Sequence, residues 1–403
     1  MSERHVTGAG PEGLASRLMD MKVLADMKVL ADMKVLASDW LPAYRAVPRE
    51  AFVPDLIWPG VTDGTGGADA IDRRTAPEAW FRAVYSDVSL TTQWDDGEHT
   101  GKRRGKNPTC SNSQPSMVFS MLTALDVRPE SAVLEVGTGT GWNAGLLSER
   151  VGSDNVVTVE CDPRSALTAH ARLDAAGYSP VAVVGDGSLG WPARAPYDRV
   201  LITASLREIP AEIIGQTEPG GLIVCPYATE YGGEAVVRLT VQEDGGAGGP
   251  FIGPSAFMRL RRQRAFRTDT REYLRRPWPA GGRRTETALS PEAVGDWLPM
   301  FAIGLQTRGM FPWAQHYADG SYTLWLRDTA VTSWATADYE PGRDTFEVYQ
   351  GGPRDLWSEL TAAYVWWDGR GRPGFERFGL TLEPDGTPWA WLDSPEHPVP
   401  AVG

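Results

Sequence analysis

Between Ala132 and Gln242 short apolar runs alternate with stretches in which apolar residues recur at helical spacing. The runs Ala132–Gly137, Asn155–Glu160, Pro180–Asp186, Tyr197–Ser205, Gly221–Tyr227 and Ala235–Gln242 read as strands. Trp142–Val151 and Pro163–Ala176, which fall between the early runs, read as helices. Strands alternating with helices predict a doubly wound, mostly parallel sheet covered on both faces, so the fold class is α/β.

The flanking regions are patterned differently. Met21–Ser38 holds three near-identical copies of Met-Lys-Val-Leu-Ala-Asp. Six residues advance a helix by about 600°, so the apolar stripe winds around the axis and holds no single face. Lys22–Asp26 and Lys28–Asp32 are spaced to support an exposed helix. The segment reads as a tandem duplication lengthening an N-terminal helix, with a docking helix as the other reading. Glu243–Pro250 is glycine-rich and predicts a turn, and the basic run Ala256–Arg264 that follows looks strand-like. Ten of the sixteen tryptophans lie between Trp278 and Trp391, which marks a separate α+β C-terminal module. Ser290 reads as an N-cap with Pro291 as the first helical residue, and Asp385–Gly386 as a hairpin turn. The expected organisation is an N-terminal helical extension over 1–39, a catalytic domain over 40–265 and the module over 285–403.

Composition narrows the class. A hydrophobic content of 42% and a charged content of 23% are those of a folded globular protein. A net charge of −13 excludes a general nucleic-acid binder, which needs a basic face. No apolar run approaches membrane-spanning length, so no membrane partner is expected. Cys110, Cys161 and Cys225 are widely spaced without a CxxC pair, which points to a reducing, cytoplasmic setting and to no metal site. A monomer is expected.

The candidate chemistry begins at Val133–Glu149, where an apolar run ends in Gly137, Gly139 and Gly141 and a helical pattern follows. Glycines between a strand and a helix let a nucleotide approach the backbone closely. A dinucleotide site reads GxGxxG; this one reads GxGxG, with Glu135 two residues before the first glycine. Glu160 closes the second strand, where a carboxylate can accept ribose hydroxyls, and Asp186 closes the third. Two carboxylates suit a ligand without phosphate that carries positive charge, and S-adenosylmethionine answers that description.

From about Trp40 to Arg262 the chain resembles protein-L-isoaspartate O-methyltransferases. The resemblance rests on "RAVPREAFVP", "SNSQPSMV", "VLEVGTGTGWNAGLL", "VVTVE", "GDGSLGWPARAPYDRVLITAS", "IPAEI" and "EPGGLIVCP". It implies a Rossmann-like fold, S-adenosylmethionine as cofactor, and a peptide or protein substrate bearing Asp or isoaspartate. It places Ser113 on the family's active-site serine, which also touches the cofactor. It places Gly137, Thr138, Gly139, Glu160, Asp186 and Gly187 on cofactor contacts, and Glu135, Gly141 and Cys161 belong to the same expected set. The chain departs from the family at Cys110-Ser111-Asn112-Ser113, in a long charged loop ahead of it, and in about 140 residues beyond the sheet. Extended versions of this kind resemble enzymes of actinobacterial clusters that tailor graspetides and lanthipeptides, which implies methylation of an ordinary Asp and closure to an aspartimide.

A carboxylate is ionised at neutral pH and needs no strong base to accept a methyl group. The expected catalysis is therefore positioning and exclusion of water, with Ser113 orienting the acceptor. From spacing alone, Ser113 also reads as a helix N-cap. Asp95–Lys106 reads either as a substrate lid, with Lys102, Arg103, Arg104 and Lys106 steering an acidic peptide beside Ser111 and Asn112, or as a solvated loop. Three functions stay open: peptide tailoring, repair of isoaspartate, and an idle leader-binding scaffold.

Overall fold

The computed structural model describes residues 35–60, 69–264, 269–274 and 281–402. Most of the hexad repeat therefore lies outside the described residues; Val35 and Leu36, at its end, are buried in the core. Strands are numbered along the chain. A small sheet, ordered β2-β1-β3-β4, comprises β1 (Leu56–Pro59), β2 (Ile71–Asp72), β3 (Leu90–Trp94) and β4 (Pro108–Asn112). The main sheet begins with β5 (Val133–Val136), β6 (Val156–Glu160), β7 (Val181–Val184), β8 (Tyr197–Ile202), β9 (Thr217–Ala228), β10 (Glu234–Val241) and β11 (Ala247–Pro254). A third sheet, ordered β12-β16-β15-β14-β13, comprises β12 (Arg283–Thr287), β13 (Met310–His316), β14 (Tyr322–Asp328), β15 (Trp334–Tyr339) and β16 (Phe346–Gly351). The chain closes with β17 (Phe378–Leu382) and β18 (Pro388–Leu392).

The main sheet has nine strands in the order β18-β17-β11-β10-β9-β8-β5-β6-β7. Every residue of β5 and β6 is buried, which is why these strands read as continuous apolar runs. Helices Trp142–Val151 and Pro163–Ala175 follow β5 and β6 as the spacing predicts. Asp162 caps the second of them by accepting from Ser165 N, with Pro163 in the first turn. Strand order reverses at β5, with β6 and β7 on one side and β8 and β9 on the other. Such a switch point opens a ligand crevice at the carboxyl ends of the strands.

Three expectations are corrected. The sheet is parallel only from β7 to β9; from β9 outward every pairing is antiparallel, so it is mixed rather than mostly parallel. The glycine-rich stretch is not all turn, because Ala247–Pro254 is a strand; a side chain at Gly249 would collide with the Arg238 carbonyl of β10. The basic run after it forms no named strand: it makes one bridge, Arg259 to Ser205, and a short 3-10 turn, Arg261–Gln263.

The C-terminal region does not stand apart. β17 pairs with β11, and β18 with β17, so the last hairpin completes the catalytic sheet. Phe301, Trp367, Phe378 and Leu380 share one core with Leu134, Ile223 and Phe251. A division at 265/285 therefore crosses one of three core clusters among the described residues, while another, around Val294, Leu326 and Leu360, lies almost wholly in the C-terminal region. The hairpin turn at Asp385–Gly386 is as expected, with Gly386 at φ 85°. Ser290 does cap Pro291–Val294, accepting from Glu292 N. Trp334, Trp357, Trp367 and Trp391 are buried, whereas Trp297 remains 44% exposed. Among the described residues no helix is long and apolar enough to cross a membrane.

Candidate functional site

A cavity of about 1460 Å³ opens at the carboxyl ends of β5, β6, β8 and β9. Its floor is the turn after β5, where Gly137, Gly139 and Gly141 take φ of 99°, 55° and 93°, a region L side chains rarely enter. A Cβ at Gly137 would stand 2.6 Å from Thr203 Oγ1. Gly139 N donates to Glu160 Oε2 at 2.9 Å, and Asp162 N to Glu160 Oε1 at 2.9 Å. Cys161 Sγ, a weak donor, also reaches Oε1 at 3.5 Å, and Oε2 keeps a further lone pair, so this carboxylate can still accept a ribose hydroxyl.

Gly137, Thr138, Gly139, Glu160, Cys161 and Gly187 all line the cavity. Gly141 instead packs on Ala169 of the helix Pro163–Ala175. Glu135 lies beneath the floor with no exposure; it accepts from Asn143 Nδ2 at 2.6 Å and from Thr158 Oγ1 at 2.5 Å. Burial pushes its pKa up to about 7, against the pull of those two donors. Asn143 does line the cavity, so Glu135 acts on the site through it. Asp186 is not in the wall either: Ser188 N and Oγ occupy Oδ1, and Arg262 Nη1 reaches Oδ2 at 2.7 Å. The glycine cradle, the Glu160 carboxylate and the absence of a crowding side chain at Gly139 fit an adenosine ligand with a cationic tail.

Ser113 follows β4 and lines the same cavity, beside Ser111 and Asn112. Arg49, buried at 0% exposure, fixes this segment. Its Nε donates to Asn112 Oδ1 at 2.6 Å and its Nη2 to the Ser113 carbonyl at 2.8 Å; Nη1 reaches the Val84 carbonyl at 2.7 Å. Burial lowers the Arg49 pKa to about 9, which leaves it cationic at neutral pH. Asn112 Nδ2 in turn donates to Thr140 Oγ1 at 2.9 Å, tying the serine segment to the glycine turn. The helix Pro115–Leu125 has its N-cap at Gln114 with no side-chain cap bond. Asp87 Oδ1 accepts from Ser116 N at 2.8 Å, so Asp87 supplies the cap that spacing assigned to Ser113.

The loop Asp95–Lys106 turns its acidic half inward. Asp95 and Asp96 line the cavity; Lys102, Arg103, Arg104 and Lys106 do not. Lys102 Nζ lies 3.8 Å from Asp72 and Arg104 donates to the Pro59 carbonyl, so the cations expected over the substrate lie on the small sheet. The physical reason is local: Asp95 accepts from Lys106 N and Asn107 N, which folds the loop back on itself. Cavity cations come instead from Arg207, Arg259, Arg261, Arg264 and Arg327. Arg261 spans Asp96 at 3.0 Å and Asp162 at 3.7 Å, and Arg264 pairs with Asp96 at 2.8 Å. The basic run Ala256–Arg264 carried that signal, read for its periodicity and not for its charge. Among the described residues no group of three His, Cys, Asp or Glu side chains could hold a metal.

Comparison with known proteins agrees with this geometry. The family model described as protein-L-isoaspartate(D-aspartate) O-methyltransferase matches residues 68–248. The chain is 40% identical over 135 residues to a protein-L-isoaspartate O-methyltransferase of Ignicoccus hospitalis, covering 33% of this chain and 64% of the relative. It is 40% identical over 134 residues to that of Pyrococcus horikoshii, covering 33% and 60%. With protein-L-isoaspartate O-methyltransferase 2 of Archaeoglobus fulgidus it shares 39% over 158 residues, or 39% of this chain and 71% of the relative. The chain thus spans less than two thirds of the first two relatives and more than two thirds of the third. A solved protein-L-isoaspartate O-methyltransferase superposes with a TM-score of 0.51 at 20% identity, covering 95% of this chain and 100% of that one. That likeness concerns the fold, and it extends past residue 248 into the C-terminal region.

Proposed function

The chain belongs to the protein-L-isoaspartate O-methyltransferase family, and from that premise we propose that it methylates the carboxylate of an isoaspartyl residue in a peptide or protein. One observation carries the reading: the Gly137–Gly139 turn with Glu160 and the Ser113 segment held by Arg49 face a single cavity. S-Adenosylmethionine, when bound, supplies an electrophilic methyl group; a carboxylate oxygen forms the new O–C bond as the S–C bond breaks and the thioether leaves. Glu160 is assigned to the ribose hydroxyls and the glycine turn to the backbone-facing edge of the ligand. Ser113 is assigned to the acceptor, its hydroxyl donating to the oxygen that does not react. The acceptor is already an anion, so the site needs no general base. Water solvates the reacting charges and slows their union, so an enclosed cavity favours the transfer.

A second reading is an ordinary Asp in a ring-constrained, ribosomally made peptide, as in tailoring of graspetides and lanthipeptides. Its methyl ester is attacked by the following backbone nitrogen, which releases methanol and closes an aspartimide. The observation that favours it is the cavity wall contributed by Trp297, Met300, Phe311 and Arg327, beyond the family-matched residues. Mass spectrometry on an isoaspartyl peptide and on a lactone-constrained Asp peptide separates the readings. Repair predicts methyl gain on the first; tailoring predicts methyl gain and then imide on the second.

A further inference from the structure

The cavity is larger than methyl transfer to one residue requires. Its volume of about 1460 Å³ exceeds the roughly 300–1,000 Å³ of small-molecule sites. Along the carboxyl edge of the sheet, Glu160 ends β6, Gly137 follows β5, Thr203 follows β8 and Thr229 follows β9. The cofactor residues and the acceptor segment account for the β6–β5 end. The β8–β9 end is walled by Arg207, Glu230, Glu234, Arg259, Trp297 and Met300.

Arg259 is the distinctive group of that wall. It is bridged to Ser205 just past β8, and its Nη1 donates to the Ala228 carbonyl at the end of β9 at 3.3 Å. It is half-buried, and among the described residues it makes no ion pair. The two nearby carboxylates have other partners. Glu230 lies 3.6 Å from Arg207. Glu234 accepts from Ser255 Oγ and Phe257 N, each at 2.8 Å. Trp297, anchored through its indole N–H to the Glu234 carbonyl at 3.1 Å, leaves 44% of its surface open.

We propose that the β8–β9 end of the cavity is a subsite for the substrate chain beyond the reacting residue, in which Arg259 holds a second carboxylate of the peptide and Trp297 and Met300 cover its apolar stem. The proposal rests on the methyl-transfer reading and names its substrate class: peptides acidic beyond the acceptor. A guanidinium in a partly desolvated wall binds a carboxylate with two parallel hydrogen bonds, which a solvated surface lysine does not match. Arg259, Trp297 and Met300 all lie past residue 248, so the subsite is outside the family-matched residues.

The test uses the full chain loaded with S-adenosylhomocysteine. The probes are fluorescent peptides with one isoaspartyl residue and a glutamate placed one to four residues away on either side, with glutamine counterparts. Binding is read by anisotropy. At one spacing or more, the glutamate peptide is expected to bind about tenfold tighter than its counterpart, equivalent to about 1.4 kcal/mol. In Arg259→Gln that ratio falls to near one, and Arg259→Lys retains part of it; calorimetric S-adenosylhomocysteine affinity certifies that each variant is folded. A ratio near one at every spacing in the unmodified chain overturns the proposal, as does a ratio that survives Arg259→Gln. Charge-dependent binding without methyl transfer would leave this subsite standing and remove the proposed reaction. Methylation without charge preference would do the reverse.

Discussion

Arg49, with no exposed surface, donates through Nη2 to the carbonyl of Ser113 at 2.8 Å. The same guanidinium reaches Asn112 Oδ1 and the carbonyls of Val84, Ser86 and Val88, so a single buried cation ties its own segment to Val84–Val88 and to Asn112–Ser113. Its removal leaves those acceptors buried without donors. Arg49→Gln is therefore expected to cost at least about 3 kcal/mol in urea unfolding. Arg49→Lys, which keeps the charge with fewer donors, should fall between. Equal stability of all three proteins would show that the carbonyls find other partners.

Ser113→Ala separates orientation from capping. The helix Pro115–Leu125 takes its cap from Asp87 through Ser116 N, so the serine hydroxyl is dispensable for folding. The variant should keep its melting temperature and its cofactor affinity while turnover falls at least tenfold, a loss of about 1.4 kcal/mol in the transition state. Asp87→Ala should instead lower stability by about 1 kcal/mol. A fall in melting temperature for Ser113→Ala with normal turnover would reverse the two roles.

Glu135 gives the fold a pH dependence with a definite sign. Its folded pKa, raised by burial from 4.5 to about 7, lies above the unfolded value. The folded state therefore holds the extra proton between those values, and stability falls as pH rises. The contribution is complete below about pH 4.5 and is lost as pH passes about 7. Relative to Glu135→Gln, the unmodified protein should lose about 2 kcal/mol between about pH 5 and about pH 7.5. Chemical unfolding at several pH values reads this directly, and parallel curves for the two proteins would refute it.

The catalytic half was largely legible in the sequence because its central strands β5 and β6 are buried throughout and its helices begin at Gly141–Trp142 and Asp162–Pro163. What escaped depends on contacts distant in the chain. β11 is rich in glycine because its backbone lies tightly against Arg238, and local composition reads such glycine as a turn. The docking of β17 on β11 joins Gly248 to Thr381, a pairing no local periodicity encodes. The loop cations were visible as charges, but their direction follows from Asp95 folding the loop back. Asp186 stood at the predicted strand end, yet its pairing with Arg262 could not be read from either residue alone.

The shared core also fixes the outcome of truncation. Phe301 stacks edge-on against Phe251 at 4.8 Å and Phe378 at 5.9 Å, so a chain ending after Gln263 exposes Phe251 and leaves β11 as an open edge. Such a chain should aggregate or show no cooperative unfolding transition. A soluble fragment that binds S-adenosylhomocysteine with the affinity of the full chain would show that the shared cluster around Phe251 and Phe301 is dispensable.

The most direct measurement is transfer of a tritiated methyl group from S-adenosylmethionine to a peptide with one isoaspartyl residue, scored as base-labile methanol. The unconstrained Asp peptide of the same sequence serves as control. Label is expected on the isoaspartyl peptide, little on the control, and loss of transfer in Glu160→Ala together with at least a tenfold loss of cofactor affinity, since each lost hydrogen bond to a carboxylate is worth about 1.5–3 kcal/mol. Saturated cofactor binding with no label on the isoaspartyl peptide, or undiminished transfer by Glu160→Ala, would contradict the proposed reaction.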